Sequence, residues 1–543
     1  MRIIKRLLIL LPLLYLTLNA TSLQYNIIPS PKQFQQLEGI FLLTYSTTYW
    51  TDNNLSKNSI AYLQEHLEHN SGYTLKKDQV KHNTLVYQHN PTLVDEAYTL
   101  QIKPNAIQIE ASTQAGFFYA TITLMQLLDP SIWNQDANIT FIKEWSLPAC
   151  SIHDEPQFKW RGMMLDTARN FFSKDYVKKF IDRMSQHKLN VFHWHLSDDE
   201  AWRIEIKKYP LLTQVGAQRG PGTKLPFSLY PAMRGPKNKV QEGYYTQEDI
   251  KEIVTYAATR SVNVLPEIDV PAHAKAAVIS YPKLLQDSND TSTYRSVQKV
   301  SNNTMDPGLE STYTFLDNVL REVVTLFPFA YIHLGGDEVP KNAWNGSPSV
   351  KRLMQKEHLK DNNEVQGYFF TRMDKILEKY HRILIGWQEI RRTNSDLRDE
   401  TIIMAWRGDG KGVQYANKGK NVIFSPAQFL YFDQQYIKSK DEYGHTWAGP
   451  TDTKEVYSYQ PLHAQINTEN RRYIKGVHAC LWSETALNEK IADYLVWPRT
   501  LAFSEVAWGS NRFKSWKQFH LHSLPIGLQR LHVQKIDYRV SNP

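Results

Sequence analysis

The stretch AYIHLGGDE, residues 330–338, is a short β-rich apolar run that ends in two glycines and then sets two carboxylates side by side. Runs of the same kind stand at 162–165, 191–194, 262–266, 383–387, 402–406, 422–425 and 477–482, with longer amphipathic stretches between them. Short strand-like runs alternating with helical ones specify parallel strands joined by crossover helices. Eight of them over roughly 325 residues is the count of a closed (β/α)8 barrel. The expectation is an α/β protein whose larger part, 157–543, is a TIM barrel, with a C-terminal helical stretch that includes 513–524 packed outside it.

Upstream the period differs. Strand-like runs at 83–88, 97–102 and 106–111 stand among helical spacings at 56–69 and 112–128, which predicts a small α+β domain over 23–150. No Pro/Gly-rich linker separates it from the barrel, so the two are expected to dock rigidly. Before it, Arg2, Lys5 and Arg6 lead into an apolar run from Leu7 to Leu18, then Asn19-Ala20-Thr21. This reads as a signal peptide over 1–20, its apolar run shorter than the roughly 20 residues of a spanning helix. A secreted or periplasmic protein is expected, with no stable membrane span after signal removal.

The composition, 42% hydrophobic and 22% charged over 543 residues, excludes a disordered, collagen-like or disulfide-scaffold chain. The net charge of +8 falls by three to +5 without Arg2, Lys5 and Arg6, too little and too scattered for nucleic acid. Cys150 and Cys480 read as buried thiols rather than a bridge. Asn-x-Ser/Thr sites at Asn54, Asn138, Asn289, Asn302 and Asn345 matter only in a eukaryotic secretory pathway.

In such barrels the chemistry gathers at the C-terminal ends of the strands. There the sequence places Asp166 to Arg169, His195 to Asp199, Glu267 to His273, Asp337 with Glu338, Trp387, Trp406, Tyr431 with Asp433, and Trp482 with Glu484. Adjacent residues leaving an extended strand point to opposite sides, so Asp337 and Glu338 are expected to differ. One, tilted among apolar rings, would have a raised pKa and donate a proton, while the other stays ionised in a polar niche. The same four residues, Gly335 to Glu338, also suit a plain turn. Indoles stack on the C–H faces of sugars, and Asp, Glu and Arg bind vicinal hydroxyls, which points to carbohydrate, although each tryptophan taken alone suits a core position.

Two other classes stay open. His193-x-His195 with Asp198 and Asp199 suggests a metal-dependent hydrolase, but strands five and six end in Trp387 and Trp406 without a histidine. A non-catalytic sugar-binding protein would keep the indoles and have no need of the acid pair. A retaining glycosidase with two carboxylates needs a nucleophile about 5 to 5.5 Å from its acid. The seventh run ends without one, which leaves Asp433, Glu484 or the substrate itself.

The motifs RGMMLDTARNF, WHLSDDEAWR, GYYTQEDI, PEIDVPAHA, HLGGDE, GWQE and LWSET, in this order, resemble those of the family 20 glycoside hydrolases, the β-N-acetylhexosaminidases. IIPSPK and the stretch 97–128 resemble the family's small N-terminal domain. The resemblance covers nearly the whole mature chain. It implies an exo-acting enzyme, without cofactor or metal, on oligosaccharides or glycoconjugates with a terminal N-acetylhexosamine. The 2-acetamido oxygen of the substrate would be the nucleophile, with net retention. By motif position Glu338 is implied as general acid and base, Asp337 as the partner of the acetamido N–H, and Tyr431 as a donor to the acetamido oxygen. Trp387, Trp406 and Trp482 would wall the acetyl group and the ring, Arg169, Asp433 and Glu484 would grip hydroxyls, and Asp198 and His273 would hold the acid pair. Two departures are Ala272, where the family often has Gly, and Glu200, where it often has Gln.

Overall fold

The computed structural model describes residues 23–80, 82–136, 141–225, 239–392, 395–509 and 515–540. The segment 1–20, Asn138 and residues 513–514 therefore lie outside what is described. Eight parallel strands close into a barrel: β1 Trp160–Asp166, β2 Val191–His195, β3 Asn263–Glu267, β4 Tyr331–His333, β5 Ile383–Trp387, β6 Ile402–Ala405, β7 Asn421–Phe424 and β8 Ile474–Leu481. Strand β8 pairs back onto β1, from Gly476 opposite Trp160 to Leu481 opposite Leu165. Every expected barrel run falls on one of these strands.

The strands are apolar on both faces because helices cover the outside while side chains fill the inside. Alternate residues divide between two cores. Met163, Leu165, Val264, Leu384, Val477 and Ala479 face the helices. Met164, Leu265, Ile385, Ile402, Met404, Ile423 and Cys480 face the interior. The period of two continues above the last rung, so Trp387, Trp406 and Trp482 belong to the interior set and rise toward the mouth.

The small domain is a seven-stranded mixed sheet in the order Gln33–Leu43, Trp145–Asp154, Tyr98–Lys103, Ala106–Ala111, Thr84–His89, Thr48–Thr51, Lys76–Lys77. Helix Gln114–Leu127 packs on its central strands and against helix Lys57–Ser71. Gln33–Leu43 escapes a sequence reading because most of its residues are exposed and a bulge between Gln36 and Ile40 breaks the alternation. Trp145–Asp154 carries the domain past the expected limit at 150, since residues up to Asp154 still pair with Tyr98–Lys103.

The C-terminal stretch also differs from expectation. Helix Trp516–Gln518 passes through a π-turn, Phe519–Ser523, into helix Leu524–Val533. Pro525 stands in the first turn of that last helix, where a missing N–H breaks no ladder bond. The stretch is not simply outside the barrel but lies in the joint between the domains. Arg530 Nη2 donates to the carbonyls of Asn26 at 2.5 Å and Gln126 at 2.6 Å. Cys150 and Cys480 are buried free thiols. No helix among the described residues is long and apolar enough to cross a membrane.

Candidate active site

Above β4 the backbone abandons the extended form. Gly335, Gly336 and Glu338 have φ of 59°, 97° and 49°, and this reversal overrides the expectation that Asp337 and Glu338 point apart. Both carboxylates approach the same atom: His273 Nε2 stands 3.6 Å from Asp337 Oδ2 and 3.6 Å from Glu338 Oε2. The glycines are required by space as well as by φ. A Cβ on Gly335 would come within 1.7 Å of Asp269 Oδ1, and one on Gly336 within 2.5 Å of Ile390. Gly336 N–H donates to Asp269 Oδ1 at 3.2 Å, which ties the turn to the loop above β3.

His273 is oriented from behind, with Nδ1 3.1 Å from Asp198 Oδ1. Asp198 is a buried hub: Oδ2 lies 2.6 Å from Arg169 Nη2 and 3.0 Å from His195 Nε2. Arg169 also meets Glu200 Oε2 at 3.2 Å and Asp166 Oδ2 at 3.4 Å. Arg169, Asp198 and His273 thus form one chain of charges that ends at the acid pair. Burial pushes the Glu200 carboxyl up to about 8, so near neutral pH it is largely a neutral group, as an amide would be.

The two mouth carboxyls differ, and the raised one is Asp337. Burial pushes Asp337 up to about 7; His273 opposes the shift, and the neighbouring Glu338 charge adds to it. Burial would raise Glu338 as well, but His273, a hydrogen bond from Gln298 Nε2 at 2.6 Å, and Arg407 hold it below the ordinary value. Arg407 Nη2 is 3.8 Å from Glu338 Oε1, and its Nε is 3.1 Å from Glu389 Oε1. Of the two carboxyls, Asp337 therefore holds a proton up to the higher pH.

Asp337, Glu338, His273 and Gln298 line a cavity of about 220 Å³ together with Trp406, Tyr431 and Trp482. Trp406 and Tyr431 lie parallel, 9° apart with centroids 6.2 Å apart, and Trp447 stands edge-on to both. Arg169 sits 4.8 Å over the Trp482 ring. Asp433, Glu484 and His445 occupy the far end, with Asp433 pushed up to about 7 by burial and Glu484 held at about 2, chiefly by Arg169 and His445 against burial. Trp387 is the expected lining residue that does not line the cavity. It is 1% exposed, packs 5.8 Å from Trp482, and donates from Nε1 to Glu267 Oε1 at 3.0 Å.

Sequence reasoning missed Gln298, Arg407, His445 and Trp447. Gln298, His445 and Trp447 stand on long loops with no periodic signal, and Arg407, directly after Trp406, carried no motif of its own.

The histidines behind the metal alternative lie inside the barrel. Glu267 Oε2 is 3.0 Å from His193 Nε2 and 2.5 Å from His195 Nδ1, and Oε1 is 2.8 Å from His333 Nδ1. Donor atoms of His193, Glu267 and His333 come within 4.8 Å of one another. A hydrolytic metal needs a position open to water and substrate, and all four residues are fully buried beneath the pocket floor.

With this geometry in hand, the chain resembles known proteins over nearly its whole length. Residues 158–511 match the model of the glycosyl hydrolase family 20 catalytic domain, and 24–155 match that family's domain 2. A β-hexosaminidase of Vibrio furnissii is 37% identical over 482 residues, 88% of this chain and 76% of the relative. One of Porphyromonas gingivalis is 33% identical over 523 residues, 95% of this chain but only 65% of the relative, so the chain spans just under two thirds of that protein. The structure of an exo-β-N-acetylglucosaminidase of Vibrio harveyi with N-acetylglucosamine superposes with a TM-score of 0.89 at 34% identity, over 96% of this chain and 79% of the other.

Proposed function

This chain belongs to glycosyl hydrolase family 20, and from that premise we propose that it is an exo-acting β-N-acetylhexosaminidase that removes terminal N-acetylglucosamine or N-acetylgalactosamine by a retaining, substrate-assisted mechanism. The observation that carries the reading is the pairing of Asp337 and Glu338 around one imidazole, in a pocket whose other carboxylates, Asp433 and Glu484, lie beside the charges of His445 and Arg169. In this reading neither Asp433 nor Glu484 is the nucleophile, and the acetamido oxygen takes that role.

In the first step the acetamido oxygen attacks the anomeric carbon while the bond to the leaving oxygen breaks, and Glu338 gives that oxygen its proton. Asp337 accepts from the acetamido N–H and stabilises the positive charge of the oxazolinium, with Tyr431 donating to the acetamido oxygen. In the second step Glu338 takes a proton from water as the water opens the ring, which restores the configuration.

The raised proton affinity of Asp337 is consistent with this order of events. An acetamido N–H at Asp337 favours its ionised form, and a sugar ring over Glu338 desolvates it and favours the protonated form, so binding moves the shared proton to Glu338.

The pocket ends at Asp433 and Glu484, whose buried Oδ1 and Oε2 would be left unpaired if a further sugar replaced the hydroxyls they bind. Hydrolysis of aryl 2-acetamido-2-deoxy-β-glycosides beside their 2-hydroxy parents tests the mechanism, and the parents are expected to be nearly inert. A chito-oligosaccharide digest tests the end that is cut. Monosaccharide is expected from the first time point, and early disaccharide would refute the exo reading. We also propose export through the segment 1–20, checked by the N-terminal sequence of the mature protein.

A further inference from the structure

His445 lines the cavity beside Asp433 and Glu484, and the backbone sets it there. Its N–H donates to the Asp433 carbonyl at 2.6 Å, and its carbonyl accepts from Gln435 N–H at 2.8 Å. Gly444 makes this approach possible. It has φ of 107°, and a Cβ there would lie 2.6 Å from the Asp433 carbonyl oxygen. The imidazole is thereby held with Nε2 3.7 Å from Glu484 Oε2. That spacing is too long for a good direct hydrogen bond, yet one oxygen atom can sit within reach of both.

Two further atoms point to a polar occupant. Asp433 Oδ1 and Glu484 Oε2 are buried and have no hydrogen-bond partner among the described residues. Buried acceptors left so are costly unless a ligand completes them. The charged groups that face His445 are Glu484, Asp433 and Arg169, and the guanidinium of Arg169 is already committed to Asp198, Glu200 and Asp166. His445 is thus the side chain best placed to supply a donor at this end.

We propose that His445 is a specificity-determining residue: its Nε2 donates a hydrogen bond to one hydroxyl of the terminal sugar, and that hydroxyl in turn donates one to Glu484, so that the two side chains read the presence and orientation of that hydroxyl. The proposal rests on the glycosidase reading above. It is tested by comparing wild type, H445L and H445Q on the aryl 2-acetamido β-gluco and β-galacto substrates and on their 3-deoxy, 4-deoxy and 6-deoxy analogues. Wild type is expected to lose about tenfold or more in kcat/KM on one deoxy analogue. H445L should lose a similar factor on the complete sugar, mostly through KM, while its penalty for that one deoxy position collapses toward onefold and the other penalties remain. H445Q, which keeps a donor, should fall between the two, and it carries the same comparison should H445L unfold. Equal losses on every substrate, or none on any, would overturn the assignment of His445 alone. A wild type inactive on all 2-acetamido substrates would overturn the proposed function and this assignment with it.

Discussion

Glu338 and Asp337 differ by one methylene and one position, yet their surroundings shift their carboxyls in opposite directions. Glu338 has Gln298, Arg407 and His273 around it, whereas Asp337 is buried beside a carboxylate. Glu338→Gln is expected to lower kcat by about 10² to 10⁴ for sugar leaving groups and far less for activated aryl ones, because help from an acid matters most when the leaving oxygen is basic. Equal losses on both would remove Glu338 as the acid. Burial pushes the Asp337 carboxyl up to about 7, and the acid form of the pair depends on that proton. As pH rises through that value the last proton leaves and no acid remains, so kcat/KM should fall on the alkaline side near pH 7, as a pH–rate profile will show. Asp337→Asn removes the negative charge that meets the oxazolinium. A loss of about 10² to 10³ in kcat, independent of leaving group, is expected, and a near-normal kcat would remove substrate assistance from the mechanism.

At the scale of the element, the segment after β4 is a short strand that is made to turn. The HLGGDE sequence, 333–338, suits a strand end, but its use depends on two glycines at positive φ that bring Asp269 against the turn and fold Glu338 toward His273. Gly335→Ala would force Asp269 or the turn aside, since the added carbon overlaps Asp269 Oδ1. A displacement of about 1 Å at the reacting groups can cost about 10²-fold in rate. Gly335→Ala is therefore expected to lose about that much kcat, with a lower unfolding midpoint. Full activity in this variant would mean that the turn does not position the pair.

At the scale of the molecule, the two domains share buried charges. Asp154, at the end of the small domain's sheet, receives Lys188 Nζ at 2.9 Å and Trp508 Nε1 at 3.0 Å, both from the barrel, and Tyr98 OH at 2.8 Å. Arg161 of β1 grips Glu96 with two bonds of 2.8 and 2.9 Å. Removing one partner of a buried pair costs about 3 to 5 kcal/mol. Asp154→Ala should therefore lower a single calorimetric transition that includes both domains, and two separate transitions in the wild type would show that the joint does not couple them. The order of the barrel strands, and the residues that stand at their ends, could be read directly from the sequence. Each strand is a local apolar run, and in a closed parallel barrel chain order and spatial order coincide. Asp337, Glu338, Tyr431, Asp433 and Glu484 were legible for the same reason. The direction of the two pKa shifts, the place of Trp387 beneath the floor, and the roles of Gln298, Arg407 and His445 were not. They depend on which side chains from distant loops come within about 4 Å of one another, and electrostatics and hydrogen bonding act through such distances in space rather than along the chain.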